Sequence, residues 1–142
     1  MYGYAECFRE TGDATFLDAS RRLAEYCLRR LPTDHVPYWD YDNPLIPNGV
    51  RDSFAASVLA SGMLILASLE VNAAKADHWR SEAVTILESL WRNYASRGTS
   101  EPSILTHGTR SKPHGYMDHG LIYGDYYFVE ALTRLLLPDQ PL

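Results

Sequence analysis

The stretch opening at Asp52 or Ser53 and running through Leu69 constrains this chain more than any other part of it. Ala55, Ala56, Val58, Leu59, Ala60, Met63, Leu64, Leu66 and Ala67 leave it almost no polar face. A helix that is apolar all round has to be enclosed by other elements. No segment reaches the roughly 18 uninterrupted apolar residues of a membrane span, so the enclosure has to be protein. At 142 residues the chain is one ordinary domain, and 46% hydrophobic against 22% charged residues excludes disorder. The reading is therefore a single helical domain over residues 1–142 with one central buried helix.

Amphipathic segments supply the enclosing layer. Tyr2 to Glu10 reads as a helix stopped at Thr11-Gly12, with Asp13 as the N-cap of the next. Phe16, Leu23, Cys27, Leu28 and Leu31 then recur near helical spacing until Pro32. Beyond the buried helix, Asp77 is expected to cap a helix to about Ser96. Its stripe is Trp79, Ala83, Ile86, Leu87, Leu90 and Tyr94, and its outer face Arg80, Glu82, Glu88 and Arg92. A last helix is expected from Asp125, with Gly124 turning the chain sharply, to Leu137, halted by Pro138. Buried helices alternating with amphipathic ones predict an all-α fold of concentric layers, a toroid of helical hairpins.

Connection lengths locate a site. The breaks near Thr11-Gly12 and Asn72–Ala76 are short, whereas Pro32–Val50 and Arg97–His119 are each about twenty residues, long for a compact domain. With helices running up and down, both long loops fall at one rim, where a scaffold carries its ligand site. The first contains Val36-Pro37-Tyr38-Trp39-Asp40-Tyr41-Asp42-Asn43-Pro44, aromatic rings interleaved with carboxylates. Such a set suits a sugar, rings stacking on pyranose faces and acids accepting hydroxyls; equally, Tyr38 and Trp39 pack beneath the loop and Asp42-Asn43-Pro44 is a turn. Arg51-Asp52-Ser53 enters the buried helix, offering either an anion site or a cap with an Arg51–Asp52 pair. The second loop carries His107-Gly108 and ends in Leu121-Ile122-Tyr123-Gly124, with Tyr123 a candidate for the pocket. His114, Asp118 and His119 fit no zinc spacing, so neither a metal nor a cofactor is expected.

Charge and cysteine usage narrow the partners. A net charge of −5 with a pI near 5.4 argues against a nucleic-acid partner, and no membrane partner is expected. Cys7 and Cys27 make no disulfide framework and read as small buried apolar groups; with Met1 opening no signal peptide, a cytoplasmic setting is expected.

Taken in order, Thr11-Gly12-Asp13-x-x-Phe16-Leu17, Val36-Pro37-Tyr38-Trp39-Asp40, Arg51-Asp52-Ser53, His107-Gly108 and Leu121-Ile122-Tyr123-Gly124-Asp125-Tyr126-Tyr127 with Glu130-Ala131-Leu132 resemble the unsaturated glucuronyl hydrolases. The resemblance covers essentially the whole chain but only the C-terminal part of that family. It implies the C-terminal arc of an (α/α)6 barrel and a part in removing unsaturated glucuronic acid from lyase-generated oligosaccharides. In that chemistry an aspartic acid protonates the C4–C5 double bond, water adds at C5, and the hemiketal collapses, with no metal and no covalent glycosyl-enzyme. The family's acid and base fall in the N-terminal portion, so no catalytic residue is assigned here, and the chain alone is expected to be inactive. Trp39, Asp40, Arg51, Asp52, His107 and Tyr123 are the expected substrate-binding residues. The expected partners are an unsaturated uronic-acid oligosaccharide and, through exposed apolar flanks, a second copy or an N-terminal chain. The alternatives are a rhamnogalacturonyl hydrolase part, or a non-catalytic helical module binding acidic sugars or a protein.

Overall fold

The computed structural model describes residues 1–137. Five α-helices account for its regular structure: α1 (Tyr2–Thr11), α2 (Ala14–Arg30), α3 (Ser53–Leu69), α4 (Ala73–Ser89) and α5 (Ile122–Leu136). Among the described residues there are isolated β-bridges but no extended strand. Nor is any of these helices long and apolar enough to cross a membrane.

The helix α3 is enclosed as its composition demands. Twelve of its residues are buried, including Ala56, Leu59, Ala60, Met63, Leu64, Ile65 and Leu66. It packs against α1, α2, α4 and α5. Residue pairing shows how they run. Phe54 meets Tyr123 and Ser61 meets Glu130, so α3 and α5 are parallel. Tyr2 bonds Glu130 and Glu6 approaches Arg134, so α1 runs the same way. The short reversals after α1 and α3 make α2 and α4 antiparallel to them. Three parallel helices backed by two antiparallel ones form an arc of a helical toroid.

Close approach explains several positions. A Cβ on Gly62 would lie 2.6 Å from the Met1 methyl and 3.1 Å from Tyr2 Cα, so only glycine admits α1 there. Where α2 meets its neighbours, the buried residues are Leu17, Ser20 and Ala24. Of the expected stripe, Cys27, Leu28 and Leu31 pack against the core while Leu23 is exposed, and small Ser20 and Ala24 are buried beside them. The α4 stripe from Trp79 to Tyr94 is buried throughout.

Three ends differ from expectation. Helix α4 begins at Ala73, its cap lying five residues before Asp77 at Asn72, whose side chain accepts Lys75 N–H at 3.1 Å. Its last turn widens into a π-helical segment, Leu90–Tyr94. Asp125 is no cap but lies inside the first turn of α5, and Gly124 is helical and packed on Phe54. Pro138, the expected stop of α5, lies outside the described residues. Of the two thiols expected to be buried, Cys27 is partly covered and Cys7 is exposed; both are free.

Candidate functional site

Residues 31–52 and 95–121 connect α2 to α3 and the π-helical segment to α5. Both are fastened to the N-terminal end of α3. Asp52 N–H donates to Pro37 O at 3.0 Å and Trp39 N–H to Val50 O at 3.0 Å, drawing the first loop against the entry to the helix. The second loop arrives at the same point: Ser53 N–H reaches His107 O at 3.2 Å and Ser53 Oγ reaches Thr106 O at 2.6 Å. Thr109 Oγ1 donates to Arg51 O at 2.8 Å. Because α5 starts beside α3, its first turn joins in. Asp125 accepts the N–H groups of Ile104 and Leu105, each at 2.9 Å.

Each expected site residue has a definite place in this rim. Arg51 is committed to the protein. Its guanidinium pairs with Asp34 at 3.1 Å, donates to Val36 O at 2.5 Å, and lies 4.2 Å from the Tyr38 ring centroid. The expected Arg51–Asp52 pair does not form; the ionic partner is Asp34, which the sequence did not mark. Asp34 also accepts Tyr94 Oη at 2.7 Å; burial, and after it this bond, raises the tyrosine's pKa. The π-helical widening thus delivers Tyr94 to the first loop.

Asp52 is buried, and its Oδ1 accepts Thr109 N–H at 3.2 Å. Burial raises its pKa above the ordinary value, opposed by the N–H groups of Thr109, Ala55 and Phe54. Trp39 is half-buried and Asp40 exposed, with Asp40 accepting Asp42 N–H at 2.9 Å in a turn. Tyr123 is half-buried, its ring edge-on to Phe54 at 4.5 Å. His107 is exposed and hydrogen-bonds Asp118 through Nδ1. No three His, Cys, Asp or Glu side chains gather around one point among the described residues.

Chemically, the rim is a frame of buried acceptors under a lip of exposed donors and rings. Asp52 and Asp125 hold backbone amides. Of the expected site residues, Trp39, Asp40, His107 and Tyr123 are the ones left wholly or partly exposed. The frame residues Asp34, Tyr94 and Thr109 were missed because nothing local distinguishes them; only the long-range pairing gives them a role.

Comparison with known proteins agrees with this architecture. No family profile matches the chain. An unsaturated glucuronyl hydrolase from Bacillus sp. (strain GL1) is 36% identical over 138 residues, covering 95% of this chain and 37% of the relative. The crystal structure of that Bacillus sp. GL1 enzyme, described as responsible for the degradation of glycosaminoglycan, superposes with a TM-score of 0.90 at 34% identity, over 96% of this chain and 37% of that one. The Streptococcus agalactiae enzyme, solved as a mutant complexed with dGlcA-GalNAc6S, gives 0.88 at 29% identity, over 98% and 38%. The fold is the helical toroid of the unsaturated glucuronyl hydrolases, which are glycoside hydrolases. Within that fold the chain corresponds to the C-terminal part of an unsaturated glucuronyl hydrolase. It spans a little over one third of the length of these relatives.

Proposed function

We propose that this chain is the C-terminal arc of an unsaturated glucuronyl hydrolase. It contributes one lip of the mouth that receives a lyase-generated oligosaccharide ending in unsaturated glucuronic acid. The observation that carries the reading is the convergence of both long loops on the N-terminal end of α3, with Asp125 of the adjacent α5 gripping the second. In it Trp39 and Tyr123 offer rings to the sugar faces, while Asp40 and His107 meet hydroxyls. Arg51 and Asp52 keep the lip in shape. The hydration chemistry needs a carboxylic acid free to protonate the C4–C5 double bond. Asp52 and Asp125 are spent on backbone amides, so the proton comes from the remainder of the toroid.

The same reading assigns the partner. The face of α5 turned away from α3 exposes Ile122 (81%), Tyr126 (60%) and Val129 (48%). Together with Ile104 and Thr133 these line an open groove of about 440 Å³. We assign it to the next helices of the toroid, on the same polypeptide or a separate N-terminal chain, with a second copy substituting when they are absent. Two free cysteines fit a reducing, cytoplasmic setting.

Ultraviolet absorbance of the C4–C5 double bond tests the activity. With the chain alone, an unsaturated disaccharide keeps its absorbance; adding the N-terminal part of a relative as a second polypeptide makes it fall. Turnover by the purified chain alone would refute the reading.

A further inference from the structure

His107 and Asp118 have left-handed backbones, with φ of 60° and 62°, and neither is glycine. His and Asp enter this region more readily than most non-glycine residues, as His35 also does with φ of 57°, but two of them paired side chain to side chain mark a built position. Here the imposition is explicit. Ser53 N–H holds the His107 carbonyl, Asp125 grips Ile104 and Leu105, and Gly108 and His119 exchange both backbone hydrogen bonds, at 2.8 and 2.9 Å. The Tyr94 ring stands perpendicular to the imidazole, with centroids 5.7 Å apart. Both side chains are more than half exposed, so their mutual bond adds little to stability. Strain that stability does not repay calls for another use.

That use follows from the atoms engaged. Asp118 Oδ1 lies on Nδ1 of His107, and Nε2 makes no hydrogen bond among the described residues. A neutral imidazole donating through Nδ1 presents a bare lone pair at Nε2. We infer that Asp118 is a positioning residue that fixes the tautomer and orientation of His107, so that Nε2 accepts a hydroxyl of the bound sugar. This rests on the oligosaccharide reading of the rim.

Long-range proton–nitrogen spectra of the full chain at about pH 8, where an ordinary imidazole is neutral, read the tautomer directly. Wild type shows His107 protonated at Nδ1. Asp118→Gly, which relaxes the left-handed backbone while removing the carboxylate, shifts the ring toward the Nε2-protonated form. Asp118→Asn keeps an acceptor and tolerates the same backbone, so it restores most of the wild-type signature. Millimolar unsaturated disaccharide moves the wild-type Nε2 resonance, and Asp118→Gly binds roughly three- to tenfold more weakly, the loss of one hydrogen bond. An unchanged tautomer or affinity in Asp118→Gly overturns the inference. Sugar that shifts Trp39 or Tyr123 but leaves His107 untouched overturns it alone. Sugar that shifts no rim resonance overturns the oligosaccharide reading, and the inference with it.

Discussion

Acidic side chains in this protein serve largely as acceptors for its own backbone and cations, and their titration should report it. Burial raises the Asp52 pKa above 3.8, so the folded state binds that proton more tightly than the unfolded chain does. Wild-type stability then falls as pH rises through the window above 3.8, relative to Asp52→Asn, which carries no charge. At neutral pH Asp52→Asn should cost less than about 1 kcal/mol, since its amide oxygen still takes Thr109 N–H. Asp52→Ala should cost about 1–2 kcal/mol in urea unfolding. Glu70 is the opposite case. Arg21 donates to both its oxygens at 2.8 Å and Trp79 Nε1 adds a third bond at 3.1 Å, lowering its pKa below 4.5. Its contribution is complete above 4.5 and is lost as pH falls through the folded value. Glu70→Gln should cost about 2 kcal/mol at neutral pH, with the deficit shrinking in acid. The sequence offered Arg51 as an anion site or a partner of Asp52, and could not offer Asp34. Ion pairing across seventeen positions depends on how the first loop folds back, which no local pattern encodes.

Among the elements, α3 was the most legible and loop geometry the least. A run without a polar face admits one interpretation, whereas helix starts are chosen by competition. Asn72 outcompetes Asp77 because its side chain reaches Lys75 N–H and lets α4 begin a turn earlier. Asp125 was mistaken for a cap because its actual partners, the amides of Ile104 and Leu105, are some twenty residues away in sequence. The presence of two long loops was legible from spacing, and so were the rings and acids they carry. Their fastening to α3 was not. The α1–α3 contact gives a direct check. Gly62→Val would drive a branched side chain into Met1 and Tyr2, and backbone at Tyr2 cannot yield as a flexible tip would. It should destabilise by about 1–3 kcal/mol, read by thermal unfolding, while Gly3→Ala, with open space around it, should not.

At the scale of the molecule, three parallel helices backed by two antiparallel ones leave one flank of α5 bare. Sedimentation of the isolated chain should reveal concentration-dependent association, and Val129→Glu should shift it toward the monomer. A well-dispersed wild-type monomer would show that a second copy does not cover that flank. The moorings of the second loop have a further consequence. Asp125, Asp52 and Ser53 seize main-chain atoms, so at the exposed positions Ile104 and His107 the hold does not depend on the side chain, whereas Leu105 is fixed by burial, Gly108 by close approach and Thr106 and Thr109 by their hydroxyl bonds. At those two positions such a berth accepts changed cargo without being rebuilt.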